Sequence, residues 1–250
     1  SKEIVMNICE VGLNHLGDEQ LSWYYVTNLI TAGCDAITYQ VREDGFYKDK
    51  YENFELSLEH YKEISNYCEE QQVDFGIALG NPTLVDKFID IGVKFFKVLS
   101  WDLTNYSYID KLLSKDVPLS VSTGTSTDEI LDEFSIRYGD EYNISLIHTQ
   151  LNYEPKNTNL KAIEKMQLEY PEFEISYGNH CSNLNMIYAS VPFYPKDIWF
   201  YVKANNPSLK YPDSVHAVEL RKVSQVIDNI KEIESGIGTG EKVKVEKKIR

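Results

Sequence analysis

Several polar side chains of this 250-residue chain stand where apolar runs end, the places from which a packed core can present chemistry. Lys97 lies inside Phe95-Phe96-Lys97-Val98-Leu99. An ammonium in such a run must reach a partner or a cavity, because a buried unpaired charge is costly. Such a lysine binds an anion or, desolvated beside a second cation such as Lys203, acts as a Schiff-base nucleophile. Glu10 follows the apolar run Ile4–Cys9 and is equally hard to bury alone. His180 sits in a Gly-Asn-His-Cys turn after Asn179, and His148 closes the run Ile144–His148. An imidazole there can move a proton or hold a metal, although His148 reads equally well as a hydrogen-bonded core residue. Ser122-Thr123-Gly124 offers hydroxyls and amides that can cradle an anion. Asn14, Gln40, Ser100, Asp102 and Tyr153 complete the polar set, whereas His60 and His216 read as surface residues.

These residues need elements to position them. Short β-rich runs alternate with stretches of helical spacing: Ile4–Cys9, Ala36–Val41, Val73–Leu79, Phe95–Leu99, Leu119–Ser122, Ile144–His148, Phe173–Tyr177 and Ile198–Lys203 read as strands. Helical stretches include Leu21–Ala32 closed by Gly33, Leu56–Gln71, Tyr108–Ser114, Leu160–Glu169, Leu184–Ser190 and Ala217–Ile233, with Thr127-Asp128 capping another. Roughly eight βα units over this length predict a single-domain α/β (β/α)8 TIM barrel, with a doubly wound open sheet as runner-up. The barrel is expected over 1–240 and a charged tail over 241–250. In such barrels the site lies at the carboxyl ends of the strands, where every candidate above falls.

Charge and cysteine usage bound the partners. Net charge is -14, from 25 Lys+Arg against 39 Asp+Glu. That surface repels phosphate backbones and anionic lipid, so neither nucleic acid nor a membrane is an expected partner. Residues 1–6 lack the cationic-then-apolar layout of a signal peptide, and Cys9, Cys34, Cys68 and Cys181 form no CxxC pair. A cytoplasmic protein with reduced thiols is the expectation.

The motifs resemble those of the sialic acid synthase family. Glu10-Val11-Gly12-Leu13-Asn14-His15-Leu16-Gly17 is similar to the family's AEIGxNHxG opening, and Phe96-Lys97-Val98-Leu99-Ser100-Trp101-Asp102-Leu103-Thr104-Asn105 to its FKIxSxDLTN segment. Val121-Ser122-Thr123-Gly124-Thr125-Ser126-Thr127 resembles LSTGMST, His148 with Tyr153 and Pro155 resembles HC…YP, Tyr177-Gly178-Asn179-His180 resembles YSDH, and the stretch from Gly236 to Lys242 resembles LGxGxK. The resemblance implies a TIM barrel that condenses phosphoenolpyruvate with an N-acylated hexosamine to a 2-keto-3-deoxy (nonulosonic) acid. It implies that Lys97, Ser100 and Ser122 hold the phosphoenolpyruvate anion, that Glu10 orients the sugar aldehyde, and that Gln40 and Tyr153 line the site. A divalent metal, manganese or magnesium, would polarise the aldehyde. His180 is one implied ligand.

The departures are as informative. The second metal histidine falls at Lys203, and an ammonium is no ligand, so the sequence predicts either no metal requirement or an incomplete site. A family lysine is Thr38, a Ser-Thr pair is Ile77-Ala78, and the serine of YSDH is Gly178. Each lost anion contact is worth about 1.5–3 kcal/mol as a charge-assisted bond. The sequence stops where the family's carboxyl-terminal antifreeze-like domain would begin, and a barrel-to-barrel homodimer remains open. Three readings follow: a divergent synthase with the Lys203 ammonium as electrophile, a metal-free Schiff-base aldolase or lyase, and a non-catalytic sugar-binding relative.

Overall fold

The computed structural model describes residues 4–248; Ser1–Glu3 and Ile249–Arg250, the outer ends of the two predicted segments, lie outside the described residues. Strands β1 (Met6–Gly12), β2 (Ala36–Val41), β3 (Asp74–Leu79), β4 (Phe95–Val98), β5 (Leu119–Ser122), β6 (Ile144–His148), β7 (Glu174–Asn179) and β8 (Asp197–Lys203) pair in sequence order. All these pairings are parallel, and β1 also pairs with β8, which closes the sheet. Helices α1 (Glu19–Ala32), α2 (Leu58–Glu70), α3 (Val85–Ile91), α4 (Tyr106–Leu113), α5 (Asp128–Tyr138), α6 (Lys161–Glu169), α7 (Asn185–Ser190) and α8 (Leu220–Ile237) follow the strands in turn. This is the expected (β/α)8 barrel. A two-residue strand β9 (Val218–Glu219) pairs with the end of β8.

Local chemistry sets the element ends. Asp18 caps α1 by accepting from the amides of Gln20 and Leu21, and Gly33 closes that helix at a φ of 91°. The Thr127 hydroxyl caps α5, as its sequence position indicates. One boundary differs in a way that bears on function. Strand β1 does not stop at Cys9 but continues through Gly12, with its register against β2 shifted between Glu10 and Gly12. Glu10 is therefore a strand residue fixed by the barrel rather than a loop residue beyond it.

Two faces of each strand carry two cores. The outward faces and the helices share one apolar cluster, with Tyr25, Phe88, Phe134 and Ile227 among its buried members. Inside the barrel, Ile8, Ala36, Phe95, Ile147 and Trp199 form a separate apolar layer at mid-height. Phe95 meets Trp199 edge to face at 5.9 Å. The Phe95 ring is seated over Gly76, where an added Cβ would lie 2.4 Å from it. Beneath this layer sits a small polar floor: Ser120 and Ser145 share a hydrogen bond of 3.1 Å, and the Ser176 hydroxyl donates to Asp197 at 3.2 Å. Burial pushes the Asp197 carboxyl up to about 6. All four cysteines are free and buried. Among the described residues, no helix is long and apolar enough to cross a membrane.

Candidate active site

Above the apolar layer the strands deliver charge. Glu10 from β1 and Lys97 from β4 are 2% and 5% exposed, and the Lys97 ammonium donates to Glu10 Oε1 at 2.5 Å. The ammonium also lies 5.4 Å from the Trp199 ring and 5.7 Å from that of Tyr201. A buried pair of this kind is retained for what it does, since apolar residues would fill the same space at no greater cost in stability. Lys97 lines a cavity of about 210 Å³ at the carboxyl ends of the strands, together with Gln40, Ser100, Ser122, His180 and Tyr201. Larger cavities, those of about 460 and 550 Å³ among them, lie away from the Glu10–Lys97 pair.

Ser100 and Ser122 form one wall of this cavity. Their hydroxyls meet at 2.7 Å, the Gly124 amide donates to Ser100 Oγ at 3.0 Å, and the Thr125 hydroxyl donates to the Ser100 carbonyl at 2.7 Å. The serine pair thus holds its geometry before any ligand arrives. At the rim, Arg42 forks onto Glu43 through two contacts of 3.1 Å and stacks its guanidinium 4.1 Å from Phe46 and 4.9 Å from Trp101. Where the related motif has a serine, Gly178 has no room for one, because a Cβ there would lie 2.8 Å from Ile147 Cγ2.

Sequence position alone misplaces several candidates. Lys203 does not enter the cavity. Its ammonium donates to the Ser214 carbonyl at 3.0 Å and hydroxyl at 3.2 Å, and it lines a different hollow with Asn205 and Arg221. Asn14 is consumed by the backbone, donating to the carbonyls of Val202 and Asp213 and accepting from the Asp213 amide. Asn179 is likewise satisfied, accepting from the Tyr177 hydroxyl at 2.8 Å and donating to the Cys181 carbonyl at 3.0 Å. His148 bonds the Thr158 carbonyl at 3.0 Å and faces the neighbouring 550 Å³ cavity. Asp102 lies half-buried in the loop beside Ser100 and does not line the central cavity. These residues shape the mouth rather than meet its contents. Tyr153 stays on the rim, stacked on His216 at 5.7 Å.

Three residues of the mouth escape sequence reasoning. Tyr201 of β8 is buried and adjoins both Lys97 and His180. Asp213 lines the cavity, and burial together with the nearby Glu10 carboxylate pushes it up to about 6, against the pull of Lys97 and Arg42. His216, expected on the surface, is 4% exposed and stacks on His180 at a centroid distance of 4.6 Å. His60, also expected on the surface, is buried with Nε2 2.7 Å from the Ser22 hydroxyl. Burial, then His216 and Lys97, holds His180 well below its ordinary value, and burial with Lys97 and Lys203 holds His216 at about 4. Both imidazoles are therefore neutral near pH 7, the form that donates a lone pair. The loop after β8 carries Asp213 and His216; it is a βα loop on the active face of the barrel, which was the available signal. Among the described residues, no three His, Cys, Asp or Glu side chains gather as a metal cluster. The two imidazoles are stacked face to face, which leaves their in-plane lone pairs side by side rather than aimed at one point.

The fold and its mouth define a parallel (β/α)8-barrel protein with a buried polar centre. A model of the NeuB family matches residues 21–242, and the chain belongs to that family. It is 23% identical to the N-acetylneuraminate-9-phosphate synthase of Mus musculus, covering 93% of this chain and 71% of the relative. It is 26% identical to the N,N'-diacetyllegionaminic acid synthase of Legionella pneumophila, covering 94% and 74%. Among solved structures, the N-acetylneuraminic acid synthetase of Leptospira borgpetersenii in complex with citrate superposes with a TM-score of 0.88 at 21% identity, covering 96% of this chain and 87% of that one. The Mus musculus and Legionella pneumophila relatives are both sugar-acid synthases.

Proposed function

We propose that this protein condenses phosphoenolpyruvate with the open-chain aldehyde of an N-acylated hexosamine to give a 2-keto-3-deoxy nonulosonic acid and inorganic phosphate. The observation that carries the reading is the buried Lys97, paired with Glu10, lining one cavity with the hydrogen-bonded Ser100 and Ser122. Lys97 and the two hydroxyls receive the anionic groups of phosphoenolpyruvate, where low dielectric strengthens each charge-assisted bond. The enol carbon of that reactant forms the new C–C bond to the aldehyde carbon. Water then adds at the former enol-ether carbon, and phosphate leaves with the oxygen that joined them. Glu10, ion-paired with the cavity-lining Lys97, orients the aldehyde and its neighbouring hydroxyls.

The geometry bears against two alternatives drawn from the sequence. The Lys97 side chain is taken up by the Glu10 carboxylate at 2.5 Å, a charge pair that suits anion binding better than Schiff-base attack. Lys203, bonded to Ser214, is not placed to serve as electrophile or nucleophile in this cavity. The test is phosphate release from phosphoenolpyruvate with a panel of N-acylated mannosamines and related hexosamines. Release that requires both reactants supports the proposal; phosphoenolpyruvate that neither binds nor turns over with any acceptor overturns it.

A further inference from the structure

We propose that the acceptor is an uncharged, acylated hexosamine and not a hexosamine phosphate, because the rim of the cavity suits a neutral chain end and repels a second phosphate. The inference deepens the proposed function and rests on it for the presence of an acceptor beside phosphoenolpyruvate.

The lining changes character from the barrel outward. Lys97, Ser100 and Ser122 are buried and form the inner end. The outer end is built by the loops after the even-numbered strands: Arg42 and Phe46 after β2, Trp101 after β4, Leu151 after β6 and Asp213 after β8. Trp101 and Leu151 are 51% and 47% exposed, so this end meets solvent. With phosphoenolpyruvate on the inner cation and hydroxyls, a hexosamine whose aldehyde carbon reacts with it directs its far carbons to this rim.

Charge decides what the rim accepts. Among the described residues, two cationic side chains line the cavity, and each is already matched. Lys97 is held by Glu10, and Arg42 forks onto Glu43 through two contacts of 3.1 Å. Lys203 is turned away onto Ser214, and the His180 and His216 rings are neutral near pH 7. Asp213, at about 6, is mainly ionised at pH 7.5, and Asp102 stands behind the rim, raised by burial with Glu43 near it. A phosphate monoester brings a charge of about −1.5 to −2 at pH 7. At this rim it meets Asp213 and the Arg42–Glu43 pair, and like charges set against each other are how a site rejects a ligand.

A neutral chain end meets complementary groups instead. Asp213 uses its amide and carbonyl on Asn14, which leaves its cavity-lining carboxyl to accept from a sugar hydroxyl. Arg42 is stacked 4.1 Å from Phe46 and 4.9 Å from Trp101, and a guanidinium has N–H groups beyond the two on Glu43 to donate to an acyl oxygen. Trp101, Leu151 and Pro212 add apolar surface for an acyl methyl or a deoxy carbon.

The test compares N-acetylmannosamine with its 6-phosphate ester as acceptors for the full chain at pH 7.5, following consumption of phosphoenolpyruvate by ultraviolet absorbance. Calorimetry measures the binding of each sugar in parallel. The uncharged sugar is expected to exceed the ester by at least about 100-fold in kcat/KM and to bind more tightly. Glu43→Gln, which releases Arg42, and Asp213→Asn, which removes the facing charge, are each expected to narrow that ratio by about 10-fold, whatever their effect on either rate alone. An ester used as well as the uncharged sugar, or a ratio unmoved in both variants, overturns the inference, while the consumption of phosphoenolpyruvate upholds the proposed function. Phosphoenolpyruvate that is neither bound nor consumed overturns the proposed function instead. Where neither sugar turns over, the order of their binding decides whether the rim rejects phosphate, and binding of neither overturns the inference.

Discussion

The two ends of the barrel interior both bury polar groups, and they treat them in opposite ways. At the floor, Ser120 pairs with Ser145 and Ser176 with Asp197, each hydrogen bond closed within the barrel beneath the Phe95–Trp199 layer. At the mouth, Glu10 and Lys97 pair across the barrel but open onto a cavity, and His216 leaves both ring nitrogens unpartnered. The floor spends its polarity on the fold, while the mouth keeps bonding capacity for something from outside. Polar residues at the lower end of a TIM barrel act on stability and those at the upper end act on chemistry.

The sharpest way to break this contrast is Lys97→Ala. It should lower kcat/KM by about 10²–10³-fold, the loss that follows removal of one preorganised electrostatic partner. It should also cost about 3–5 kcal/mol, because Glu10 is left buried and unpaired. Urea melts would then show that adding Glu10→Gln restores much of the stability, while activity stays lost. Recovery of both would deny the mouth its chemical role.

At the floor the expectation reverses. Asp197 has a folded pKa of about 6 against an ordinary 3.8, so the native state takes up a proton between those values. That contribution to stability falls as pH rises from about 4 to 6 and stays lost above. Asp197→Asn should therefore stabilise the protein by about 2–3 kcal/mol at pH 7.5, at 1.36 kcal/mol per unit, and by little at pH 4. Chemical melts of both forms at the two pH values check it, and kcat should be unchanged.

Smaller effects sharpen the boundary between the regions. Gly76→Ala drives a methyl to 2.4 Å of the Phe95 ring and should cost about 1–3 kcal/mol with turnover per folded molecule preserved. Ser122→Ala removes one hydroxyl of the Ser100 pair, which should cost about 1 kcal/mol in stability. The same change should raise KM for phosphoenolpyruvate by about 10-fold while leaving KM for the acceptor unmoved, about 1.4 kcal/mol of anion binding.

The floor–mouth division was partly legible in the sequence. Short apolar runs alternating with helical spacing specify the barrel, and Lys97 within an aromatic run reads as a residue needing a partner. Gln40, Lys97, Ser100, Ser122 and His180 do converge on one cavity, and Glu10 reaches it through its pair with Lys97. What the sequence concealed was which way each polar side chain faces. Ser176 of β7 points into the barrel, so by alternation Asn179, three residues on, turns outward and bonds Tyr177 and Cys181, while His180 just past the strand end lines the cavity. Alternation along the strand was the cue. Asn14 and Lys203 stand at strand ends yet are used up by backbone atoms of the loop after β8. That loop has no period to read, so Asp213 and His216 could be placed only once it had folded back over the barrel.

The most direct test of the central claim is calorimetric binding of phosphoenolpyruvate to the wild type and to Lys97→Met. One molecule bound by the wild type, with affinity lost in Lys97→Met and kept in Asp197→Asn, is the predicted result. Equal affinity in the wild type and Lys97→Met would contradict the assignment of the mouth as an anion-reading active site.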